Sequence, residues 1–305
     1  MAQPCVSERP APFLWPARGP FLYLVGWSLT YGQPVSSRVV LVTGASGLVG
    51  TWLRKTVPAD AELVPLAHRT SVPSSASVTV DLRDARAVSA VLARVRPSLV
   101  IHAAMAPDAA SIVGATTNVT DGAGLVGAGV VYVSTDAVFS GDGRPRDESA
   151  QPDPIWDYGR WKAEAEKVVL RGPTGSAVVR LPLVVSLDPE DRAVARIRRG
   201  ALQRQPTMWF HDEIRQPAMA SDIAEGLWRI ALLAPDQRTG TWQLPGPESL
   251  NRYEIAQRVT DALKLDPDSV VPVPAPRDGT RPRHIEMRSD RASDEIRWEP
   301  ARILN

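Results

Sequence analysis

The sequence predicts an α/β protein with a Rossmann-type, doubly wound parallel sheet and a smaller, mainly C-terminal α/β lobe. Three observations predict this class. The apolar run RVVLVT breaks into the glycine-rich turn GASGLVG, which a helix-compatible stretch follows. Apolar, β-branched runs then alternate with helix-like stretches, and this alternation weakens after Ser186. Strands that alternate with helices indicate a parallel sheet covered on both faces.

In chain order, the further strands are predicted at ELVPLA, SVTVDL, SLVIHAA, GVVYVSTD and SAVVRLPLVV, with helices such as DARAVSAVLARVR between them. Helix-like stretches dominate later, at AVARIRRGALQRQ, SDIAEGLWRIALLA and SLNRYEIAQRVTDALKL. The Pro- and Arg-rich stretch 271–298 is expected to wrap over the surface. We therefore predict a Rossmann domain at 37–186, to which later segments return, and a lobe at 187–305 that mainly binds substrate.

Composition excludes several classes of function. A net charge of +1 over 305 residues, with acids interleaved among the arginines, argues against nucleic acid as a partner. Cys5 is the only cysteine, so an intrachain disulfide is impossible and a reducing, cytoplasmic location is expected. The four histidines are scattered without metal-ligand spacing, so no metal site is predicted.

Residues 1–36 are punctuated by prolines, and their longest apolar stretch, 21–29, is too short to span a membrane. This segment also lacks a clear signal-peptide cleavage site. We expect a disordered extension or a mis-assigned start rather than a secretion signal, and no association with a membrane.

The turn GASGLVG directly follows a strand and opens a helix, which suits a dinucleotide pyrophosphate. A plain glycine-rich turn is the alternative. The residues expected to contact the cofactor here are Gly44, Ser46, Gly47, Leu48 and Val49.

The end of the second strand discriminates between cofactors, because an acidic residue there binds the ribose hydroxyls of NAD. This chain has His68 and Arg69 instead, and a cation favours a 2′-phosphate, so NADPH is predicted in preference to NADH. Arg69 could alternatively be a solvated loop residue. Asp81 and Leu82 are expected near the adenine, and the small Ala103 and Ala104 next to the cofactor.

Tyr158 and Lys162 are the residues that indicate catalysis most specifically. Their i, i+4 spacing places both side chains on one helix face, where the lysine ammonium would lower the pKa of the phenol and assist proton transfer. Ser134 and Thr135 end a strand and could hold a carbonyl oxygen. A YxxxK pattern in isolation would be a solvated helix face, but here it follows the glycine turn and the Ser134/Thr135 strand end in order.

With these motifs the chain resembles the extended short-chain dehydrogenase/reductases, and among them the dTDP-4-dehydrorhamnose reductase family of sugar-nucleotide-binding proteins. The resemblance extends essentially from Arg38 to Trp298 and is carried by VTGASGLVG, DLRD, VIHAA, VSTDAVFSGD, YGRWKAEAE, VVRLPLVV, DEIRQPAMASDIA and GPESLNRYEIA.

The resemblance implies a catalytic trio of Thr135, Tyr158 and Lys162, supported by Ser134. It also implies that Arg215 contacts a substrate phosphate, although a surface ion pair with Asp212 or Glu213 is an alternative. The chain departs from the family at two positions that offer possible sugar contacts, where it has Ala137 and Leu183. These departures leave the sugar open.

The expected activity is NADPH-dependent reduction of a nucleotide-linked 4-keto-6-deoxy sugar, and a homodimer is compatible with the sequence. Two alternatives stay open. One is a sugar-nucleotide epimerase or dehydratase that retains its cofactor, and the other is a non-catalytic, dinucleotide-binding regulatory subunit that acts through a protein partner.

Overall fold

A computed structural model describes residues 37–68, 72, 77–106 and 108–304. The predictions for residues 1–36 and for Arg69 lie outside this range. The strands are β1 Arg38–Thr43, β2 Ala61–Ala67, β3 Val78–Thr79, β4 Leu99–His102, β5 Gly129–Thr135, β6 Asp142–Arg146, β7 Ala177–Leu181, β8 Val184–Val185, β9 Thr207–Phe210, β10 Ile214–Arg215, β11 Ala218–Met219, β12 Gly240–Gln243, β13 Leu250–Asn251, β14 Val270–Val273 and β15 His284–Met287. The helices are α1 Leu48–Lys55, α2 Ala85–Val95, α3 Ala115–Leu125, α4 Asp157–Leu170, α5 Arg192–Leu202, α6 Ala220–Leu232, α7 Pro235–Arg238, α8 Arg252–Ala262 and α9 Asp290–Ile296.

Seven parallel strands form the main sheet in the order β12-β7-β5-β4-β1-β2-β3. The strand order reverses next to β1, because the chain runs outward through β2 and β3 on one side and through β4, β5, β7 and β12 on the other. This is a doubly wound, Rossmann-type sheet, and the predicted fold class is confirmed. Such a reversal opens a crevice at the carboxyl ends of the strands.

Alternate residues of the central strands bury apolar side chains on opposite faces of the sheet. Val40 and Val42 belong to a core that includes Leu227 of α6, whereas Leu41 belongs to a core that includes Val119 of α3. All of these side chains are almost completely buried. The near-continuous apolar runs seen in the sequence therefore correspond to strands covered on both faces.

The remaining strands form smaller sheets beside the main one. Strands β13, β10, β15 and β6 make a four-stranded sheet, and the pairs β11/β8 and β14/β9 make two-stranded parallel sheets. A third core, which includes Val194 of α5, Trp209 of β9 and Ile255 of α8, packs these elements together.

The expectation that residues 271–298 wrap over the surface is wrong. This stretch contributes β15 to the four-stranded sheet and ends in α9. Ile285 and Met287 alternate into a buried cluster, and Trp298 is buried in the main core. The apolar alternation in this stretch is short and lies among prolines and arginines, so it did not predict a strand. Pairing with β6 and β10 makes it one.

Candidate active site

A cavity of 1420 Å³ lies at the carboxyl ends of the parallel strands. Residues that follow β1, β2, β4 and β5 line one half of it, and residues from α5, β9 and α8 line the other. This edge is where ligands bind in doubly wound sheets. The cavity brings together the following predicted site residues: Gly44, Ser46, Gly47, Leu48, Val49, Asp81, Leu82, Ala103, Ala104, Ser134, Thr135, Tyr158 and Lys162.

The glycine turn between β1 and α1 has the geometry of an anion cradle. Gly44 has a φ of +66°, and a Cβ at this position would lie 2.7 Å from backbone atoms of Ala104. The Gly47 N–H donates to the Gly44 carbonyl at 2.9 Å. Helix α1 then begins at Leu48 with no acidic side chain in its first turn. The positive end of the helix and its unpaired N–H groups therefore face the cavity without a competing carboxylate.

Arg83 and His68 line the end of the cavity formed by β2 and β3. Arg83 donates to the Asp81 carboxylate from its guanidinium at 2.7 Å and from its backbone N–H at 3.0 Å. These hydrogen bonds hold the pKa of Asp81 well below its usual range. His68 Nε2 lies 3.7 Å from the same carboxylate. The sequence analysis did not single out Arg83, although it belongs to the DLRD motif.

Thr135 and Tyr158 meet at the junction of β5 and α4. The Thr135 hydroxyl donates to the Asp136 carboxylate at 3.1 Å and accepts from the Ala137 N–H at 3.2 Å. Burial and the nearby Asp136 charge raise the pKa of Tyr158 to about 12, and a hydrogen bond with Thr135 offsets part of that rise. The phenol therefore holds its proton at neutral pH. The predicted lowering of its pKa by Lys162 is wrong for this state.

Lys162 lines the cavity, but its hydrogen bonds are with strand β5 rather than with Tyr158. Its Nζ donates to the Tyr132 hydroxyl at 2.9 Å and to the Val133 carbonyl at 2.7 Å. The side chain is only 3% exposed. Burial lowers the pKa of Lys162 to about 7, and the charge of Glu166 opposes that shift. Tyr132 is thus a site residue that the sequence analysis missed.

The hydroxyl of Ser134 donates its hydrogen bond to a buried side chain. It donates to the Glu166 carboxylate at 2.5 Å, and Glu166 is paired with the Arg180 guanidinium at 2.9 Å. All three side chains are buried. Because a serine hydroxyl has one proton to donate, Ser134 supports the strand end and does not direct its proton to a substrate oxygen in this state.

Arg215 does not line the cavity. Its guanidinium is 8% exposed and lies 3.5 Å from the Asp136 carboxylate and 3.3 Å from that of Glu213. It also donates to the Pro282 carbonyl at 2.8 Å. With its donors used in this way, Arg215 is not presented to a substrate phosphate. The alternative ion pair is confirmed in part, since Glu213 is one of the partners of Arg215, although the pair is buried rather than at the surface.

Two other arginines present positive charge to the cavity. Glu213 is 1% exposed, and its carboxylate accepts from Arg252 Nε at 3.0 Å and from Arg281 Nε at 2.9 Å. Both arginines line the cavity. The buried carboxylate therefore fixes two guanidinium groups at the wall, which distant segments of the chain supply. Arg252 lies in the GPESLNRYEIA motif, but neither arginine was among the predicted site residues.

Aromatic rings line the same half of the cavity and contact its arginines. The Arg281 guanidinium lies 5.3 Å from the ring centre of Phe210, and that of Arg196 lies 4.7 Å from the ring of Trp209. All four residues line the cavity. Flat apolar surfaces beside fixed cations suit a ligand that combines a planar ring with negative charge.

In the described part of the chain, no helix is long and apolar enough to cross a membrane. Within the same residues, no group of three or more His, Cys, Asp or Glu side chains is arranged to hold a metal ion.

The parallel sheet, its glycine turn and the Tyr158/Lys162 helix beside the strand end define an extended short-chain dehydrogenase/reductase fold. Residues 38–302 match the family model described as the RmlD substrate binding domain. The chain therefore belongs to that family, and the resemblance seen in its motifs is confirmed.

Relatives with two different names share sequence with this chain. The chain is 30% identical over 257 residues to methionine adenosyltransferase 2 subunit beta of Rattus norvegicus, covering 78% of this chain and 76% of the relative. It is 26% identical over 275 residues to dTDP-4-dehydrorhamnose reductase of Mycolicibacterium smegmatis, covering 85% and 80%. Among solved structures, dTDP-4-dehydrorhamnose reductase from Bacillus anthracis in complex with NADP matches with a TM-score of 0.74 and 23% identity, covering 83% of this chain and 91% of that one.

Proposed function

We propose that the protein is an NADPH-dependent reductase of a nucleotide-linked 4-keto-6-deoxy sugar. The observation that carries this proposal is that one cavity is lined by the glycine turn, by Tyr158 and Lys162, and by arginines fixed in its wall. The relative from Mycolicibacterium smegmatis, a dTDP-4-dehydrorhamnose reductase by name, supports the same substrate class.

The residues present fit a nicotinamide dinucleotide. Gly44 leaves room at its turn that a Cβ would fill, and α1 directs its positive end to the same place. Arg83 supplies a guanidinium at the end of the cavity where we place the adenine, which supports NADPH over NADH. When bound, the reduced dinucleotide supplies the hydride.

Tyr158 would donate the proton to the sugar oxygen as negative charge develops there. Its pKa of about 12 keeps the phenol protonated at neutral pH, as a proton donor requires. Thr135 accepts from the Ala137 N–H and donates to Asp136, so we assign it to orienting Tyr158 rather than to direct transfer. Lys162 would bind the nicotinamide ribose with the ammonium hydrogen that Tyr132 and Val133 leave free.

The opposite half of the cavity would hold the nucleotide of the substrate. Arg252 and Arg281 are fixed by Glu213, and guanidinium groups bind a diphosphate with parallel hydrogen bonds. We therefore transfer the phosphate contact first expected of Arg215 to these two arginines.

The test is NADPH consumption by the purified full-length protein with a dTDP-linked 4-keto-6-deoxy sugar. Tyr158→Phe is expected to lower kcat at least about 100-fold, because it removes the donated proton, while NADPH binding stays intact. Release of one NADP⁺ for each sugar reduced distinguishes a reductase from an epimerase or dehydratase that retains its cofactor. An absence of turnover in protein that binds NADPH would contradict the reductase proposal.

A second candidate is a dinucleotide-binding subunit of a methionine adenosyltransferase. The observation that favours it is the 30% identity to proteins named as the beta subunit of that enzyme, over most of both chains. Mixing the protein with the methionine adenosyltransferase of its own organism is then expected to give a stoichiometric complex by size exclusion and light scattering. The two proteins eluting separately would contradict this candidate.

A further inference from the structure

A row of buried polar side chains extends behind Lys162, and the mechanism above assigns no role to His102, Thr116 or Thr43. His102 lies at its centre. Its Nδ1 is 2.6 Å from the Thr43 hydroxyl, and its Nε2 is 3.1 Å from the Thr116 hydroxyl. The Thr116 side chain also acts on the Tyr132 phenol, where it offsets part of the rise in pKa that burial causes. Tyr132 in turn accepts from Lys162. All five side chains are at most 3% exposed.

The hydrogen bonds along this row of side chains allow one assignment of donors and acceptors. The Ala104 N–H donates to the Thr43 oxygen at 3.3 Å, and the Thr116 hydroxyl donates its single proton to the Ile112 carbonyl at 2.5 Å. His102 Nε2 must therefore carry a proton and donate to Thr116, while Nδ1 accepts from Thr43. Burial lowers the pKa of His102 to about 3, which keeps the ring neutral and compatible with this assignment.

The same assignment fixes which hydrogen bonds the Tyr132 hydroxyl accepts and donates. Its oxygen accepts from the Lys162 ammonium, which leaves its own proton available to the second lone pair of Thr116. Burial raises the pKa of Tyr132 above its usual value, so the phenol stays a neutral donor and acceptor. A buried network in which every group is satisfied is rigid, whereas a network with one missing link is costly.

We propose that Tyr132 is the positioning residue for Lys162, and that the chain Tyr132–Thr116–His102–Thr43 ties the lysine to the Ala103–Ala104 backbone beside the cofactor cleft. Two ammonium hydrogens are held by Tyr132 and the Val133 carbonyl, which leaves the third directed at the cavity. The lysine and the backbone that borders the glycine turn thus move as one unit. This inference rests on the proposed dinucleotide site.

The groups that face Lys162 come from three elements. Tyr132 lies on β5, Glu166 and Tyr158 lie on α4 with the lysine, and His102 lies on β4. Glu166 is a carboxylate paired with Arg180, and the other three are neutral at pH 7. Removing the Tyr132 oxygen therefore takes away a hydrogen-bond acceptor from the ammonium without changing the net charge around it.

The decisive measurement is the pH midpoint of Lys162 acetylation. Full-length protein is trace-labelled with acetic anhydride over a pH series, and the peptide that contains Lys162 is quantified by mass spectrometry. Lys167 is exposed on the same helix and serves as the internal reference amine. Affinity for NADPH is measured in parallel by fluorescence titration.

Tyr132→Phe is expected to lower the Lys162 midpoint by about one pH unit and to weaken NADPH binding about tenfold, since a hydrogen bond to a charged group is lost. Thr116→Val removes the acceptor for the Tyr132 proton and is expected to shift the midpoint in the same direction by less. Tyr253→Phe on α8 is the control, because among the described residues its hydroxyl makes no hydrogen bond, and it is expected to change neither value.

An unchanged Lys162 midpoint in folded Tyr132→Phe overturns the proposal. If that variant does not fold, an unchanged midpoint in Thr116→Val overturns it instead. Failure of the proposed function has a different signature. Wild-type protein that binds neither NADPH nor NADH contradicts the dinucleotide site, while the acetylation midpoints still report whether Tyr132 positions Lys162.

Discussion

Glu166 shows how a single residue of the active-site helix can serve stability rather than chemistry. Its carboxylate accepts from Ser134 and is paired with Arg180, and both charged side chains are at most 3% exposed. Arg180 also donates to the Ala150 carbonyl and lies 5.0 Å from the ring of Phe139. The carboxylate thus compensates a cation that has little access to water.

Glu166→Gln is expected to lower the free energy of unfolding by about 3–5 kcal/mol, because it leaves the Arg180 cation buried without its counter-ion. Urea denaturation measures the change. Glu164→Gln on the same helix is the matched control, since the Glu164–Lys167 pair is more than half exposed, and its loss is expected to cost less than about 1 kcal/mol. Equal stabilities of the two variants would refute the role of the buried pair.

Two glycines of helix α3 differ in the space that their surroundings leave for a side chain. The sequence gives this helical segment several glycines, which we expect to cost helix stability. Gly122 is buried where α3 packs on α2, and a Cβ there would lie 2.7 Å from Leu92 Cδ1. Gly124 is exposed, and a Cβ there would meet nothing within 4 Å. Only at Gly122 would an added methyl force a packed side chain, that of Leu92, to shift.

Gly124→Ala is expected to raise the free energy of unfolding by about 0.5–1 kcal/mol, because alanine loses less backbone entropy in a helix. Gly122→Ala is expected to lower it by about 1–3 kcal/mol, because the added methyl overpacks against Leu92. Thermal denaturation of the pair measures both signs. A stabilising Gly122→Ala would show that α2 and α3 separate at little cost.

Across the whole molecule, the last described part of the chain completes the core of the main sheet. Trp298 is 6% exposed and donates from its indole to the Pro245 carbonyl at 2.8 Å. Its ring lies where a Cβ on Gly226 of α6 would be only 2.8 Å away. The C-terminal stretch that contains Trp298 is therefore part of the same packed core as β1 and α6.

Trp298→Ala is expected to cost about 3–5 kcal/mol, as for other large-to-small changes in a core. The measurement is urea denaturation followed by far-UV circular dichroism. Glu299→Ala changes the exposed neighbouring residue and is expected to stay within about 0.5 kcal/mol of wild type. If Trp298→Ala behaves like Glu299→Ala, the C-terminal stretch does not contribute to the core.

Much of the fold and part of the site could be predicted from local sequence. The glycine turn depends on residues within one strand–turn–helix unit, and Tyr158 and Lys162 are four residues apart on α4. The apolar runs that predicted the central strands β1, β4 and β5 are nearly continuous, as strands buried on both faces require. Strand β15 was not predicted, because its apolar alternation is short and lies between Pro- and Arg-rich segments.

By itself, then, the sequence determined the doubly wound sheet, the turn that fits a dinucleotide and the helix that carries Tyr158 and Lys162. Tertiary structure decided which partner each polar group takes. Lys162 bonds to Tyr132, 30 residues away, and Arg215 is enclosed by Asp136, Glu213 and the Pro282 carbonyl. Such choices depend on contacts between distant segments and on burial, because a buried donor or charge must be satisfied by whichever groups the fold brings within reach.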